Sequence, residues 1–207
     1  MSATAAALPA RATRRTFPIR RLIVIAASLL AALILAFIGT NVWASIQQRS
    51  LERRFDAATA SWANLDPLER SSLTISPGEP VARIGIASIG LDAIVVEGAT
   101  PAIMRRGPGH LIGSATPGEA GVAIVTANRV GFGGFFLRLD RVAVGDRIVT
   151  ESPFGTTTYT VTEVDIVPAA ALDLRTDSSR RVLMLIGSSR LIGGGDRLVI
   201  RALAGGA

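Results

Sequence analysis

The hydrophobic pattern divides the chain into three stretches. Leu22 to Ala44 carries no charged residue. At ~1.5 Å per residue, roughly 23 residues make about 34 Å of helix, enough to cross a hydrocarbon layer of ~30 Å. Ser45 to Leu65 then shows helical spacing. Ile46, Leu51, Phe55, Trp62 and Leu65 share a broad face, with Gln47, Gln48, Arg49, Glu52 and Arg53 elsewhere. This segment reads as a stalk continuing the membrane helix; self-association or packing on the following domain is the alternative. Asp66 to Pro80 contains three prolines with serines and a glycine, the composition of a linker.

From Val81 the period changes. Short β-branched runs recur at Val81–Ile86, Ala93–Glu97, Val122–Thr126, Arg147–Glu151, Thr156–Val167, Val182–Ile186 and Arg197–Ala202. Turn residues separate them, among them Gly90, Gly107-Pro108-Gly109, Pro117-Gly118, Gly145-Asp146, Pro153–Gly155 and Gly193–Gly195. Short strands at this spacing predict an all-β barrel or sandwich, with room for a helical turn at Phe135–Leu139. No internal repeat is present. The expected organisation is a basic tail at 1–21, a transmembrane anchor at 22–44, a stalk helix and linker at 45–80, and a β-domain at 81–207.

Composition narrows the chemistry. The 207 residues include no cysteine and one histidine, His110. A disulfide framework, a thiol nucleophile and a multi-histidine metal site are therefore excluded. Acids such as Asp173 and Asp177 share a loop, but their spacing matches no defined calcium site, so neither metal nor cofactor is expected. The formal charge of +6 belongs mostly to the N-terminal arm. Arg11, Arg14, Arg15, Arg20 and Arg21 precede Glu52, the first acidic residue, and the remainder is close to neutral. Nucleic-acid binding thus has little support. The same arginines predict that the N-terminus stays in the cytoplasm and the domain lies outside the cell membrane. A cleaved signal peptide ending near Val42-Trp43-Ala44 is the rival reading, but its apolar core would exceed the usual ~7–15 residues.

Several motifs recur in a telling order. Ile84-Gly-Ile-Ala-Ser-Ile-Gly-Leu-Asp92 reads as a strand and turn, and Arg106-Gly-Pro-Gly-His110 is followed by Pro117-Gly118. Val144-Gly-Asp146 precedes Tyr159-Thr-Val161. In this order and spacing the chain resembles the sortase family, most closely the actinobacterial class E and D-like members. The resemblance implies a sortase-like closed β-barrel of about seven to eight strands with short helices, preceded by one transmembrane helix. In that family a strand-end Cys attacks a sorting-signal peptide, a His serves as acid and base, and an Arg supports substrate and oxyanion. The corresponding stretches here are Thr126-Ala127-Asn128-Arg129, Leu183-Met-Leu-Ile-Gly-Ser188 and Asp196-Arg197. The His position is thus Asn128, the Cys position Ser188, and Arg197 is retained.

Asn cannot carry a proton near neutral pH, and a serine hydroxyl needs a base far more than a thiol does. Losing nucleophile and base together typically forfeits factors on the order of 10⁴–10⁶. The expectation is a catalytically degenerate, membrane-anchored protein that binds a peptide or cell-surface protein. An intact sortase is a further candidate partner. One alternative is an acyl transferase or hydrolase in which Ser188 or Ser189 is activated by Asp196 or Glu119. A second is a structural assembly module without a peptide ligand. His110 is expected to be a structural hydrogen-bonder, and Arg105-Arg106 and Arg180-Arg181 solvated faces. Two of Phe132, Phe135 and Phe136 are expected in the core. Simple pairing of Arg197 with Asp196 or Asp146 is the bland alternative to a ligand contact.

Overall fold

A computed structural model describes residues 19–174, 178–190 and 195–205. Arg11, Arg14 and Arg15 of the basic tail, Asp177, and Gly193 and Gly194 of the last anticipated turn lie outside the described residues. The chain forms two compact units, Met1–Phe37 and Ile38–Ala207. In the first, the described residues are the opening part of helix α1 (Ile19–Trp62), and its large apolar side chains are exposed throughout. Among the described residues α1 is the one helix long and apolar enough to cross a membrane.

The second unit holds the rest of α1, the short helices α2 (Pro67–Ser71) and α3 (Pro101–Met104), and eight strands. These are β1 (Pro80–Ile86), β2 (Leu91–Glu97), β3 (Gly109–His110), β4 (Gly121–Thr126), β5 (Arg147–Ser152), β6 (Gly155–Pro168), β7 (Arg181–Ser188) and β8 (Asp196–Ala204). They close a barrel in the order β1-β2-β3-β4-β7-β8-β6-β5. Pairing is antiparallel except for β2 with β3 and β4 with β7, which run parallel. β3, only two residues long, was not legible as a strand. The helical turn anticipated at Phe135–Leu139 is instead a 3-10 turn at Leu139–Arg141. The linker contains α2, opened by a capping box in which Asp66 accepts from the Glu69 N–H and the Glu69 carboxylate accepts from the Asp66 N–H.

Side-chain alternation sorts the strands into two faces. Ala93 and Val95 of β2, Ala123 and Val125 of β4, Leu183 and Leu185 of β7, and Leu198 and Ile200 of β8 fill the barrel interior. Their alternating neighbours point outward and are covered. Ile94 and Val96 pack under Leu51, Phe55 and Trp62 of α1. Val122, Ile124, Met184, Ile186 and Val199 form a second apolar layer with Leu111, Val167 and Leu172. This double coverage explains why β2, β4 and β7 read as continuous apolar runs rather than alternating ones.

The stalk therefore both continues the long helix and packs on the barrel. Of its anticipated face, Leu51, Phe55 and Trp62 are buried, whereas Ile46 is exposed. A polar contact fixes the docking. β3 reaches only Val96 and Glu97 of β2, so beyond it the β2 edge has no strand partner. The Gln48 side chain replaces one: its Oε1 accepts from the Ile94 N–H at 2.8 Å, and its Nε2 donates to the carbonyls of Ile94 (3.2 Å) and Arg106 (2.9 Å). Gly107 permits this approach, because a Cβ there would lie 2.5 Å from Gln48 Nε2.

Candidate functional site

Strand register brings the three anticipated site residues together. β4 and β7 run parallel with Thr126 opposite Ile186, so Asn128 and Ser188 leave neighbouring strands at the same level. β7 and β8 are antiparallel with Ser188 opposite Arg197. All three share the alternation of Ile124, Ile186 and Val199, hence the outer face of the sheet. Adjacent strands lie ~4.8 Å apart, which places three neighbouring side chains within mutual reach. Asn128, Ser188 and Arg197 indeed line one pocket of about 340 Å³, with Met104, Thr126, Val130 and Arg129 also on its walls.

Each group has a modest local partner. Asn128 Nδ2 donates to the Met104 carbonyl at 3.4 Å, a long bond that links the pocket to the end of α3. Ser188 Oγ donates to the Arg190 carbonyl at 2.9 Å. Arg197 Nη1 reaches the Asp196 carbonyl at 3.5 Å, the limit of a hydrogen bond. Among the described residues no carboxylate pairs with Arg197. Asp146 is occupied elsewhere: it accepts from Ser88 Oγ at 2.7 Å and from the Ala143 N–H at 3.1 Å. Those bonds, the Ala143 amide foremost, hold its carboxyl below the usual Asp range. Asp196 itself has the opposite alternation to Arg197.

Among the described residues the pocket lining contains no carboxylate, imidazole or thiol. Glu119 accepts from the Thr116 N–H within its own turn and does not line the pocket. His110 is buried on β3. Its Nδ1 lies 2.8 Å from Glu97 Oε2, and its Nε2 2.9 Å from both the Ala115 carbonyl and Ser114 Oγ. That arrangement makes His110 a cross-link between strand β2 and the β3–β4 turn.

Sequence reasoning missed Arg129. It follows the end of β4 and lines the same pocket as Asn128, Ser188 and Arg197. The guanidinium is buried and pairs with Asp140 at 2.7 Å. It also donates to the carbonyls of Ser188 (3.1 Å), Ser189 (2.9 Å) and Leu137 (3.1 Å), while Nε has no partner. Arg129 thereby clamps the end of β7 to the segment after β4. Gly187 belongs to the same arrangement. A Cβ there would lie 3.1 Å from Leu139 Cδ2 and 3.7 Å from Arg129 Cγ and Cδ. The signal available in the sequence was an arginine three residues after the end of an apolar strand.

The glycine-rich segment after Arg129 places its three phenylalanines differently. Phe136 is fully buried and Phe135 packs partly against the core. Phe132 instead adopts φ 47°, a left-handed conformation uncommon for a bulky residue. It meets Trp43 edge-on at 6.4 Å, and the Arg105 guanidinium lies 5.0 Å from its ring centroid. Arg180 and Arg181 are exposed.

Comparison with known proteins follows the same outline. The family model described as Sortase domain matches residues 84–204. No curated protein matches the sequence. A solved Clostridium perfringens sortase D5 transpeptidase is 22% identical, with a TM-score of 0.63, covering 78% of this chain and 98% of its own. A Clostridium perfringens sortase C, solved with the C-terminal cell wall sorting motif, is 18% identical with a TM-score of 0.62, covering 73% and 97%. A point mutant of sortase E from Streptomyces avermitilis is 22% identical with a TM-score of 0.55, covering 63% and 91%.

Proposed function

This chain belongs to the sortase family, and we propose that it is a catalytically silent, membrane-anchored member that binds an extended peptide or a cell-surface protein. The carrying observation is the shared pocket of Asn128, Ser188 and Arg197, whose described lining offers hydrogen-bond donors and the cations Arg129 and Arg197 but no carboxylate, imidazole or thiol. Acyl transfer needs a nucleophile made reactive by a base and returned by an acid. Asn128 can orient a group but not exchange a proton. The Ser188 hydroxyl donates to a main-chain carbonyl, which leaves no base on its proton. Recognition requires neither function. Arg197 can hold a carbonyl or carboxylate through its planar fork, and Met104 and Val130 supply apolar wall in the same pocket.

The anchor reading rests on the exposed apolar part of α1 and the arginines before it. The barrel then lies outside the cytoplasm, on a helix that docks into the domain through Leu51, Phe55, Trp62 and Gln48. The solved complex of the sortase C relative with a sorting motif supports a peptide of that kind as ligand. An intact sortase working on the same substrates is a natural partner for such a binder.

The test uses the purified full chain in detergent micelles with a fluorescent sorting-signal peptide. Polarisation is expected to show binding that weakens in Arg197→Ala, while chromatography shows no cleavage. Turnover at the rate of an intact sortase, or a peptide-ester adduct that disappears in Ser188→Ala, would establish the serine enzyme instead.

A further inference from the structure

The cation in the candidate pocket has more donors than partners. Among the described residues the Arg197 side chain makes a single hydrogen bond, to the carbonyl of the residue beside it at 3.5 Å. A guanidinium has five N–H donors in a fixed fork. The two positions beside it, Asn128 and Ser188, are uncharged, and the other charged residue of the lining, Arg129, is itself a cation paired with Asp140, so nothing in the described lining offsets the charge of Arg197. Asn128 contributes amide hydrogens with only a long bond to Met104. The Ser188 hydroxyl can rotate from the Arg190 carbonyl toward a ligand. All three groups lie side by side on one face, fixed by the register of β4, β7 and β8.

We propose that this pocket is a carboxylate site, selective for a peptide that presents a free carboxylate over one that presents only amide carbonyls. The inference deepens the peptide-binding reading and rests on it. A carboxylate supplies two acceptor oxygens for the Arg197 fork and neutralises its charge, whereas an amide carbonyl supplies one oxygen and no charge. Asn128 and Ser188 add neutral donors to the same oxygens. A site built to cleave needs the carbonyl of an intact peptide bond; this one favours the acid that cleavage leaves behind. Charge-assisted bonds of this type are about twice as strong as neutral ones, which corresponds to a preference of roughly tenfold to a hundredfold.

Carboxylate can come from a chain terminus or from an acidic side chain, and the experiment separates them. The full chain in detergent is titrated with three labelled forms of the sorting motif seen with the Clostridium perfringens sortase C. The first ends in a free acid, the second in an amide, and the third in an amide preceded by Glu. The free acid is expected to bind at least tenfold tighter than the plain amide. The difference should shrink with added salt and vanish in Arg197→Gln, with Arg197→Lys partly restoring it. Tight binding of the Glu-containing amide as well would support the carboxylate site and extend it to side chains. Equal binding of acid and plain amide would overturn the carboxylate inference and leave the peptide groove standing. Absence of binding by all three forms would overturn both. Unchanged circular dichroism in Arg197→Gln and Arg197→Lys keeps a folding defect from imitating loss of selectivity.

Discussion

Replacing Arg129 with Met is the sharpest test of how the pocket is held. Met keeps much of the aliphatic stem that packs near Gly187 and Leu139, and removes only the guanidinium. Four bonds are lost: the Asp140 ion pair at 2.7 Å and the carbonyls of Ser188, Ser189 and Leu137 at 3.1, 2.9 and 3.1 Å. A hydrogen bond to a charged group contributes about 1.5–3 kcal/mol. The four do not simply add, because Asp140 and Leu137 are exposed and Ser188 and Ser189 half-buried, so water reaches their oxygens. Removing the guanidinium also removes the desolvation of a buried cation with an unpartnered Nε. The net loss is about 2–3 kcal/mol. With a urea dependence of about 1.5 kcal/mol per molar, the unfolding midpoint should fall by about 1.3–2 M. Trp62, buried against Phe55 at 5.6 Å, reports the transition by fluorescence in the full chain held in detergent. Asp140→Asn keeps the three carbonyl bonds and should lower the midpoint far less. If Arg129→Met left the midpoint within about 0.3 M of the parent, a shift far below that expected from the urea dependence, the clamp would contribute nothing and this account would be wrong.

Three further outcomes follow from the same geometry. Gln48→Ala removes the side chain that completes the open edge of β2, and should destabilise the domain by about 1–3 kcal/mol; an unchanged midpoint would mean that water replaces the amide fully. Asp146 has its carboxyl held below the usual range by the Ala143 amide and the Ser88 hydroxyl. Its contribution is therefore complete above the unfolded-state value, near pH ~4, and is lost as pH falls through the folded value. The parent should lose more stability than Asp146→Asn between about pH 5 and pH 3, and parallel curves would refute the assignment. The double change Asn128→His with Ser188→Cys should create a thiol that forms a peptide-ester adduct by mass spectrometry, at least ~100-fold faster than either single change. Equal rates in the singles and the double would show that the two positions do not act on one another.

The fold was largely legible because it rests on local periodicity. Thr156–Val167 and Val182–Ile186 alternate or run apolar as strands do, and they are β6 and β7 with small changes at their ends. β3 was hidden because Gly109–His110 is too short to show a period, and its pairing depends on partners distant in sequence. The stalk face was read from spacing alone. Spacing identified Leu51, Phe55 and Trp62, but not that Ile46 would face outward or that Gln48 would serve as a strand substitute. Such a role exists only where a sheet edge happens to lie open.

The site divides along the same line. Asn128, Ser188 and Arg197 were singled out because they stand in stretches that resemble family motifs, and the three line one pocket. Arg129 stands one residue from Asn128 and lines the same pocket, but its guanidinium is buried and holds the Ser188 carbonyl. Gly187 leaves the space that Leu139 and the Arg129 stem occupy. A larger residue there would press on Leu139 before any chemistry at position 188 changed. Positions 128, 187 and 188 therefore differ in kind. Asn128 and Ser188 bring polar side chains to the pocket, and Gly187 leaves the room that the Leu139 and Arg129 side chains use. Introducing His at 128 and Cys at 188 leaves the Arg129 bonds in place, so the engineered thiol would act from a strand end still held by Arg129.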